Sequence, residues 1–542
     1  MTELKENIQK TLRDSVIMRW FALLLVSALM FATYWFQDFF SGLKPLMESQ
    51  LGISSTQFGT LISLTTIANV FGMIIVGGII LDKWGIRLSM LIFGSVATLG
   101  GAIVAVGASG VITTEPSKRL LIMIIGRILF GIGLEITAVI ITKTIVKWFK
   151  GYELALAMAI NIGFGRLGSA LGTSLSPEIA HNNVPTAVTF AATLIGIGFV
   201  LFIVYMFFDI KLDKQLNETT SDDEKFKFSD LKKLVTDKSF IIISLLCVAF
   251  YSAVFPFMQY APDLLVNKFG FSYDLPANAS QIVIFGSATL GNTLIYVILF
   301  LFGILFPVLP SRLKSKSSKI ISLIILSALF VFFIYFIKDT LSIWLKNGPK
   351  VASLIPMATI MFSPIFGNFV DKKGKAASLM ILGSLLLIFA HLSLSIFNNV
   401  FLGYFGLISL GIAFSLVPAA MWPSVAKIVP EYRIGTAYAT MFTVQNWGLL
   451  AFFAGIGKVL DLVNPNVIAK IRALRQSLAA QGLNEVQISE KIQELRKAGQ
   501  LPVYNYTIPI LILVVLGIIS IFLAFMLKKA DKEQGYGLEL PS

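Results

Sequence analysis

The chain has 542 residues, of which 56% are hydrophobic and only 14% are charged, and its mean hydropathy is +0.81. A soluble globular protein of this length needs a more charged surface, so the composition excludes that class. The net charge of +14 lies mostly in short links between long apolar runs, which indicates membrane topology and argues against nucleic-acid binding.

The apolar runs predict an all-α integral membrane protein. Runs of about 20 residues are long enough to cross a bilayer as helices, and their continuity excludes a membrane β-barrel. The N-terminus is polar, and no small-residue cleavage site follows the first run, so we expect that run to be retained as a span. The single cysteine, Cys247, excludes disulfides within the chain, and two histidines are too few for a histidine-rich metal site. We expect no metal and no cofactor.

Twelve runs are interpreted as core spans, and two more lie between the seventh and eighth. We interpret the extra pair, near 281–309 and 318–337, as a transmembrane hairpin, with a pair of interfacial helices as the alternative. The core spans are near 17–41, 56–81, 88–109, 120–145, 153–176, 184–208, 239–259, 348–370, 376–396, 401–426, 435–458 and 505–527.

Basic residues predict the orientation, because cytoplasmic links carry an excess of Lys and Arg. With both termini in the cytoplasm, most basic links fall inside, including the link 312–319 between the two extra runs. Residues 459–504 break this rule, since they fall outside yet are basic. The pattern predicts two amphipathic helices that end at Gly482 and Gly499. The pair forms either an external hairpin on the bilayer surface or a solvated cap.

The pattern G-x-x-x-D-K-x-G, followed by a basic residue, occurs twice. Residues 78–87 read GIILDKWGIR and residues 367–375 read GNFVDKKGK, at equivalent places in two six-span halves. We expect glycine to let the helix end approach its neighbour, aspartate to cap a nearby helix N-terminus, and the basic residues to anchor to the inner leaflet. The residues assigned this conformational role are Gly78, Asp82, Gly85, Arg87, Gly367, Asp371 and Gly374.

The repeated pattern resembles the cytoplasmic loop signature of the major facilitator superfamily, and Arg127, Gly131 and Gly133 look like its second signature. The resemblance implies two six-helix bundles around a central cavity that opens alternately to each side. The implied organisation is a first bundle at 1–208, a cytoplasmic linker at 209–238, a second bundle at 239–528 and a cytoplasmic tail at 529–542. The insertions are the hairpin region 275–347 and the external helices 462–504.

Several stretches resemble one subgroup of this superfamily, the lysosomal dipeptide transporters. They are FGIGLE (130–135), WFKGYEL (148–154), GRLGS (165–169), YSAVFPF (251–257), NKFGFS (267–272), MWPSVAKIVPE (421–431) and GTAYATMFTVQNWGLL (435–450). The N-terminus carries no acidic dileucine sorting signal of the lysosomal kind. We therefore expect a prokaryotic relative in a plasma membrane, the bacterial inner membrane.

Three ionisable side chains interrupt the fourth and fifth spans: Arg127, Glu135 and Arg166. A charge at the bilayer centre costs at least roughly 2.5–3.5 kcal/mol, so such residues are functional candidates. Glu135 and Arg166 lie roughly 15 Å and 20 Å from the cytoplasmic ends of their spans, near mid-membrane. An arginine fork suits a peptide carboxylate and a glutamate suits its ammonium, and the subgroup's substrate-binding pair falls on these two positions. The alternative is that they pair with each other. Arg127 is assigned a structural or proton-linked role.

Five further side chains are candidates for substrate contact, being polar or aromatic in apolar spans: Tyr34, Tyr251, Trp422, Gln445 and Asn446. Phe250, Phe255 and Pro256 surround Tyr251 in a run that is prone to kink. Asp38, near the outer end of the first span, is either an interfacial cap or a substrate contact. His391 is either a proton site or a helix–helix contact.

These features predict a secondary transporter of small peptides, either facilitative or coupled to protons, and not an enzyme. No G-x-x-x-x-G-K-[ST] sequence is present, which argues against primary transport by this chain. One alternative is a carrier of another small zwitterion or organic anion, such as an amino acid or a sugar phosphate, although Glu135 opposes an anion. Another is a receptor that no longer transports. An accessory subunit is a possible partner that transport does not require.

Overall fold

The structure, a computed structural model, describes residues 11–216, 233–276, 281–430 and 433–541. These ranges contain helices and no β-strand. The main helices are α1 (Val16–Leu46), α2 (Ser55–Ser63), α3 (Met73–Ser109), α4 (Pro116–Phe149), α5 (Leu154–Ala180), α6 (Val184–Leu216), α7 (Lys238–Phe269), α8 (Ala288–Arg312), α9 (Lys316–Phe336), α10 (Leu354–Lys373), α11 (Ala376–Ser395), α12 (Val400–Ile428), α13 (Ile434–Val463), α14 (Pro465–Ala480), α15 (Glu485–Lys497) and α16 (Thr507–Gln534). Shorter helical turns are Leu12–Asp14, Met47–Leu51, Leu64–Thr66, Ile67–Val70, Lys338–Trp344 and Gly348–Ala352.

Twelve of the helices in the described ranges are long and apolar enough to cross a membrane, and α8 and α9 are among them. Two predicted spans are not counted separately. The span 56–81 is divided between α2, two short turns and the start of α3, and the span 153–176 corresponds to α5. The count of fourteen crossings therefore stays a prediction, whereas the all-helical membrane architecture is confirmed.

The helices form two groups that meet along a seam. In the first group α1 packs against α5 and α6, and α3 packs against α4 and α6. In the second group α7 packs against α13 and α16, while α12 packs against α10 and α11. The seam is formed by α1 against α7, α2 against α13 and α5 against α10. We call the end where α1 begins the N-terminal face.

The inserted pair α8 and α9 is an antiparallel hairpin outside the seam. Helix α8 contacts both α5 of the first group and α10 of the second, and α9 packs on α8. The side chain of Asn292 on α8 donates to the Glu178 carboxylate of α5, with 3.0 Å between Nδ2 and Oε2. Glu178 also binds the buried ammonium of Lys350, just before α10. The hairpin is thus anchored to both groups through one carboxylate.

Helices α14 and α15 lie across the end of α1, and we call Pro465–Lys497 the cap and this end the capped face. The predicted boundaries are confirmed, since α14 ends just before Gly482, and α15 follows Asn484 and ends just before Gly499. Arg475 of the cap donates to the Ser49 carbonyl oxygen at 2.9 Å. Arg496 pairs with Glu48 at 3.0 Å. These contacts favour the solvated cap over placement on the bilayer surface, and both stay predictions.

Glycine acts differently in the repeated pattern than expected. Gly85 has φ +74° and interrupts α3, and Gly374 has φ +68° and ends α10, so both turns need a residue without Cβ. The predicted close approach is absent at Gly78 and Gly367, where a methyl group would meet nothing within 4 Å, and present at Gly374, where a Cβ would lie 2.4 Å from the Leu540 backbone. Helix α6 continues to Leu216, into the predicted linker, and residues 217–232 of that linker lie outside the described ranges.

Candidate functional site

Glu135 of α4 and Arg166 of α5 both lie in the middle of long helices, as predicted, and each keeps part of its side chain exposed. In the described ranges neither has an ion-pair or hydrogen-bond partner, so the alternative that they pair with each other is not realised in this conformation. Arg166 instead places its guanidinium 4.4 Å above the ring of Phe414, which belongs to α12 of the other group. The site thus holds one carboxyl group without a partner and one guanidinium that contacts only a ring.

Tyr34 lies beside these charges because α1 and α5 are in close contact. A Cβ on Gly168 would lie 2.2 Å from the Phe31 carbonyl oxygen, so only glycine fits there. The ring of Tyr34 rests against Gly165, the neighbour of Arg166, within electrostatic range of both Arg166 and Glu135. Helix α1 runs on to Leu46, so Tyr34 lies nearer mid-helix than the span 17–41 implied.

Asp38, one turn beyond Tyr34, is buried in the seam and is not an interfacial cap. Its carboxylate accepts a hydrogen bond from Nε2 of Gln259 on α7 at 2.7 Å. Arg166 and Arg127 both act on it electrostatically. Asp38 therefore connects the two helix groups next to the charged pair, a role that sequence reasoning missed because Gln259 fell at the end of its predicted span.

Arg127 is fully buried and belongs to the scaffold in this conformation. Its guanidinium donates to the Phe36 carbonyl oxygen at 2.9 Å and lies over the rings of Phe36, Phe40 and Phe130. These contacts fasten α4 to α1. The arrangement fits the structural role assigned to Arg127, which stays a prediction.

The second helix group contributes aromatic side chains opposite the charges. The indole of Trp422 donates to the Tyr251 hydroxyl at 3.0 Å. Gln445 and Asn446 are both buried: Gln445 accepts from the Cys247 thiol at 3.3 Å, and the Asn446 amide donates to its own helix backbone at Phe442. The structure therefore brings Tyr251 and Trp422 together, and it gives Gln445 and Asn446 partners within their own helix group.

His391 has no access to this region. It is fully buried on α11, where its Nδ1 lies 2.9 Å from the Leu387 carbonyl oxygen and its ring meets the ring of Phe257 edge-on. These contacts favour the helix–helix alternative over the proton site.

The capped face is closed by buried polar contacts between the two groups. Lys44 of α1 pairs with Asp263 of α7 at 2.6 Å, and Tyr506 donates to the same carboxylate. Tyr504 donates to Glu48. Burial and the Glu48 carboxylate raise the pKa of Tyr504, so its phenol stays protonated and remains a donor. Sequence reasoning missed Lys44 and Asp263, because the predicted spans stopped at residues 41 and 259.

The first copy of the repeated pattern forms an ionic network at the N-terminal face. Asp82 pairs with Lys143 at 2.8 Å, so the predicted helix-capping role of Asp82 is wrong. Arg87 and Lys147 both bind the buried carboxylate of Asp209, at 3.3 Å and 2.7 Å.

The second copy differs. Asp371 is exposed. The start of α11 is capped instead by the C-terminal segment, where the Glu539 carboxylate accepts from the Ser378 amide at 2.8 Å.

Comparisons with known proteins agree with this architecture. The model of the Major Facilitator Superfamily matches residues 23–348. A protein of Danio rerio named lysosomal dipeptide transporter MFSD1 is 26% identical over 463 residues, covering 83% of this chain and 82% of that protein. The Homo sapiens protein of the same name is 27% identical over 456 residues, covering 82% and 80%.

A solved structure has the same fold. The crystal structure of a bacterial homologue of the human lysosomal transporter Spinster, in an inward-facing and occupied conformation, aligns with a TM-score of 0.55. It covers 94% of this chain and 97% of that one at 11% identity, which indicates a shared fold alone.

Proposed function

The chain belongs to the Major Facilitator Superfamily, and from this premise we propose that it carries small peptides, dipeptides in particular, across a membrane by alternating access. It is a multi-pass membrane protein, and a transporter family implies a small-molecule substrate. The dipeptide assignment is supported by two relatives that are named dipeptide transporters and that this chain matches over four fifths of their length. The chemistry of the central charges supports it as well.

The observation that carries the proposal is the state of Glu135 and Arg166. Both are partly exposed, and neither has an ion-pair or hydrogen-bond partner among the described residues. A buried or half-buried charge is normally paired, because desolvation is costly. A zwitterion would satisfy both groups at once, with its ammonium on Glu135 and its carboxylate on Arg166. The ring of Phe414 would hold the guanidinium until the carboxylate arrives.

The closed capped face supports the mechanism. The ion pair Lys44–Asp263 and the hydrogen bond Gln259–Asp38 join the two helix groups at and beyond the central charges. Substrate would then enter and leave this conformation from the N-terminal face. We propose that this face is cytoplasmic in a bacterial inner membrane, since Lys83, Arg87, Lys147 and Lys150 lie near it.

An organic anion carrier is the less favoured function. Such a substrate offers no cation to Glu135 and would bring a negative charge close to both Glu135 and Asp38. A chain that no longer transports is also less favoured, because we would expect it to have lost the central charges, and both are present.

Purified protein in nanodiscs and liposomes tests the proposal. We expect the dipeptide Ala-Ala to raise the melting temperature and to cross liposome membranes only when the protein is present. Glu135→Gln and Arg166→Ala should each abolish the ligand-induced shift, because each removes one end of the clamp, while the melting temperature without ligand stays near that of the wild type.

Two matched variants serve as controls. Glu115→Gln removes an exposed carboxylate and Arg312→Ala removes an exposed guanidinium, so both should keep the full ligand-induced shift. If a library of dipeptides neither stabilises the wild type nor crosses with it, the proposal is wrong. If dipeptides bind but the two central variants respond like the controls, the assigned site is wrong.

A further inference from the structure

The central region is divided into a charged side and an aromatic side. All four central ionisable groups belong to the first helix group: Asp38, Arg127, Glu135 and Arg166. The facing helices of the second group have no Asp, Glu, Lys or Arg in residues 239–262 of α7, 400–426 of α12 or 434–457 of α13. What those helices offer instead is a connected set of six rings, which we call the aromatic wall: Tyr251, Phe255, Phe414, Trp422, Tyr438 and Phe442.

Helical spacing places these rings on shared faces. Tyr251 and Phe255 are four residues apart on α7, and Tyr438 and Phe442 are four apart on α13, so each pair lies on one side of its helix. On α12 the ring of Phe414 is nine residues from Phe405, which puts it on the opposite face from that exposed, outward-facing side chain. Three helices therefore turn two rings each toward the same space.

The rings contact one another continuously. Tyr251 and Phe255 are stacked with centroids 5.4 Å apart, and Phe255 meets Phe414 edge-on at 5.4 Å. Trp422 and Phe442 are stacked at 4.7 Å. The hydrogen bond from Trp422 to the Tyr251 hydroxyl joins the two stacks.

The wall also reaches the charged side. Phe414 is fully buried and lies under the Arg166 guanidinium, while Phe255, Trp422, Tyr438 and Phe442 keep part of their surface exposed. Buried rings thus lie behind a partly exposed aromatic layer, and this layer begins next to the Arg166 guanidinium. A molecule whose carboxylate binds Arg166 would place its next atoms against that layer.

We infer that the aromatic wall receives the peptide's side chain, and that it makes the protein select dipeptides with large apolar or aromatic side chains over glycine and acidic ones. The inference rests on the proposed function and adds the substrate class within it. Burying a leucine- or phenylalanine-sized side chain against the wall is worth at least about tenfold in affinity. An acidic side chain meets ring faces, which carry negative partial charge, and finds no cation on these three helices.

The test compares five dipeptides that share both charged ends: Ala-Gly, Ala-Leu, Ala-Phe, Ala-Gln and Ala-Glu. Dissociation constants are measured by calorimetry on the full chain in nanodiscs. We expect Ala-Phe and Ala-Leu to bind at least about tenfold more tightly than Ala-Gly. Ala-Glu should bind more weakly than Ala-Gln, its neutral polar counterpart.

Variants locate the preference. Phe442→Leu removes a ring that makes no hydrogen bond through its side chain, and it should cut the Ala-Phe to Ala-Gly affinity ratio by about threefold or more. Phe442→Tyr keeps a ring and should preserve the ratio. Phe405→Leu removes an exposed ring from α12 outside the wall and should also preserve it. Melting temperatures without ligand confirm that all three variants fold.

Each outcome separates the inference from the proposed function. If dipeptides bind with no preference among side chains, or if Ala-Glu binds most tightly, the aromatic wall is not the side-chain site. The proposed function as a peptide transporter is unaffected by either result. The same holds if Phe442→Leu leaves the ratio unchanged. If none of the five binds to the wild type, the proposed function itself fails and the inference falls with it.

Discussion

Lys44 and Asp263 are 219 residues apart in the chain, yet their charged groups meet at 2.6 Å with both side chains 3% exposed or less. They join α1 to α7 across the seam, at the capped face. Two desolvated charges are stable there because each has a second contact, Lys44 with the ring of Tyr504 and Asp263 with the hydroxyl of Tyr506.

Replacing one partner of the Lys44–Asp263 pair should lower the free energy of unfolding. Removing one partner of a buried ion pair typically costs about 3–5 kcal/mol, because the other charge is left without compensation. We expect Asp263→Asn to lower the melting temperature clearly, and the double variant Lys44→Met/Asp263→Leu to recover much of the loss. Asp274→Asn is the control, since it breaks the exposed pair with Lys497, which is worth at most about 1 kcal/mol. Equal melting of Asp263→Asn and Asp274→Asn would contradict this account.

The buried carboxylate that binds the first copy should matter more for stability than the exposed aspartate of the second copy. Asp209→Asn deprives both Arg87 and Lys147 of a buried partner, so we expect a marked loss of thermal stability at the first copy. Asp371→Asn alters an exposed carboxylate in the second copy and should change stability by no more than about 0.5 kcal/mol. Melting curves in detergent compare the two variants, and similar losses would contradict the assigned importance of the Asp209 network.

The contact between α1 and α5 should not tolerate a single methyl group. In Gly168→Ala the new Cβ would overlap the backbone of Phe31, which cannot move aside as a flexible side chain could. We expect lower stability and weaker dipeptide binding, because α5 carries Arg166 two residues earlier. Gly455→Ala is the matched control on α13, where nothing lies within 4 Å, and there alanine should be neutral or stabilising by up to about 1 kcal/mol. Binding that survives Gly168→Ala unchanged would argue against this packing role.

Cysteine labelling tests the proposed orientation. The chain's one native cysteine, Cys247, is fully buried, so new cysteines can be read against a low background. A membrane-impermeant maleimide added to intact cells should label Ser477→Cys in the cap and leave Ser311→Cys, in the last turn of α8, unlabelled until the cells are opened. The reverse pattern would place the cap in the cytoplasm and overturn the orientation.

Much of the fold follows from local sequence. Apolar runs set the helices to within a few residues. Asn484 and Gly499 mark the limits of α15 in the cap, because the Asn484 side chain accepts a hydrogen bond from the first turn and Gly499 takes a positive φ just after the helix end. The resemblance also placed Glu135 and Arg166 together, since their helices are joined by a short turn.

The rest depends on partners far away in the chain. Lys44 lay beyond its predicted span and Gln259 at the end of its own, and only the fold brings each opposite an aspartate more than 200 residues away. The sequence singled out Tyr251, Phe255 and Trp422 of the aromatic wall, whereas Phe414, Tyr438 and Phe442 were missed for a similar reason. Phenylalanine is common in any transmembrane helix, and no local signal separates Phe414 and Phe442 from the lipid-facing Phe405. No local pattern predicts that the C-terminal Glu539 caps α11, because only the fold brings the two together.

The cap has a practical consequence for imaging this protein. By chain order it belongs to the second helix group, but its bonds to Glu48, Ser49 and Gln50 tie it to the first. The surface that α14 and α15 form with the end of α1 is therefore a composite epitope, present only while the two groups meet at that face. An antibody fragment raised against it would add mass outside the detergent belt, and it would also select molecules in one conformation from a mixed population.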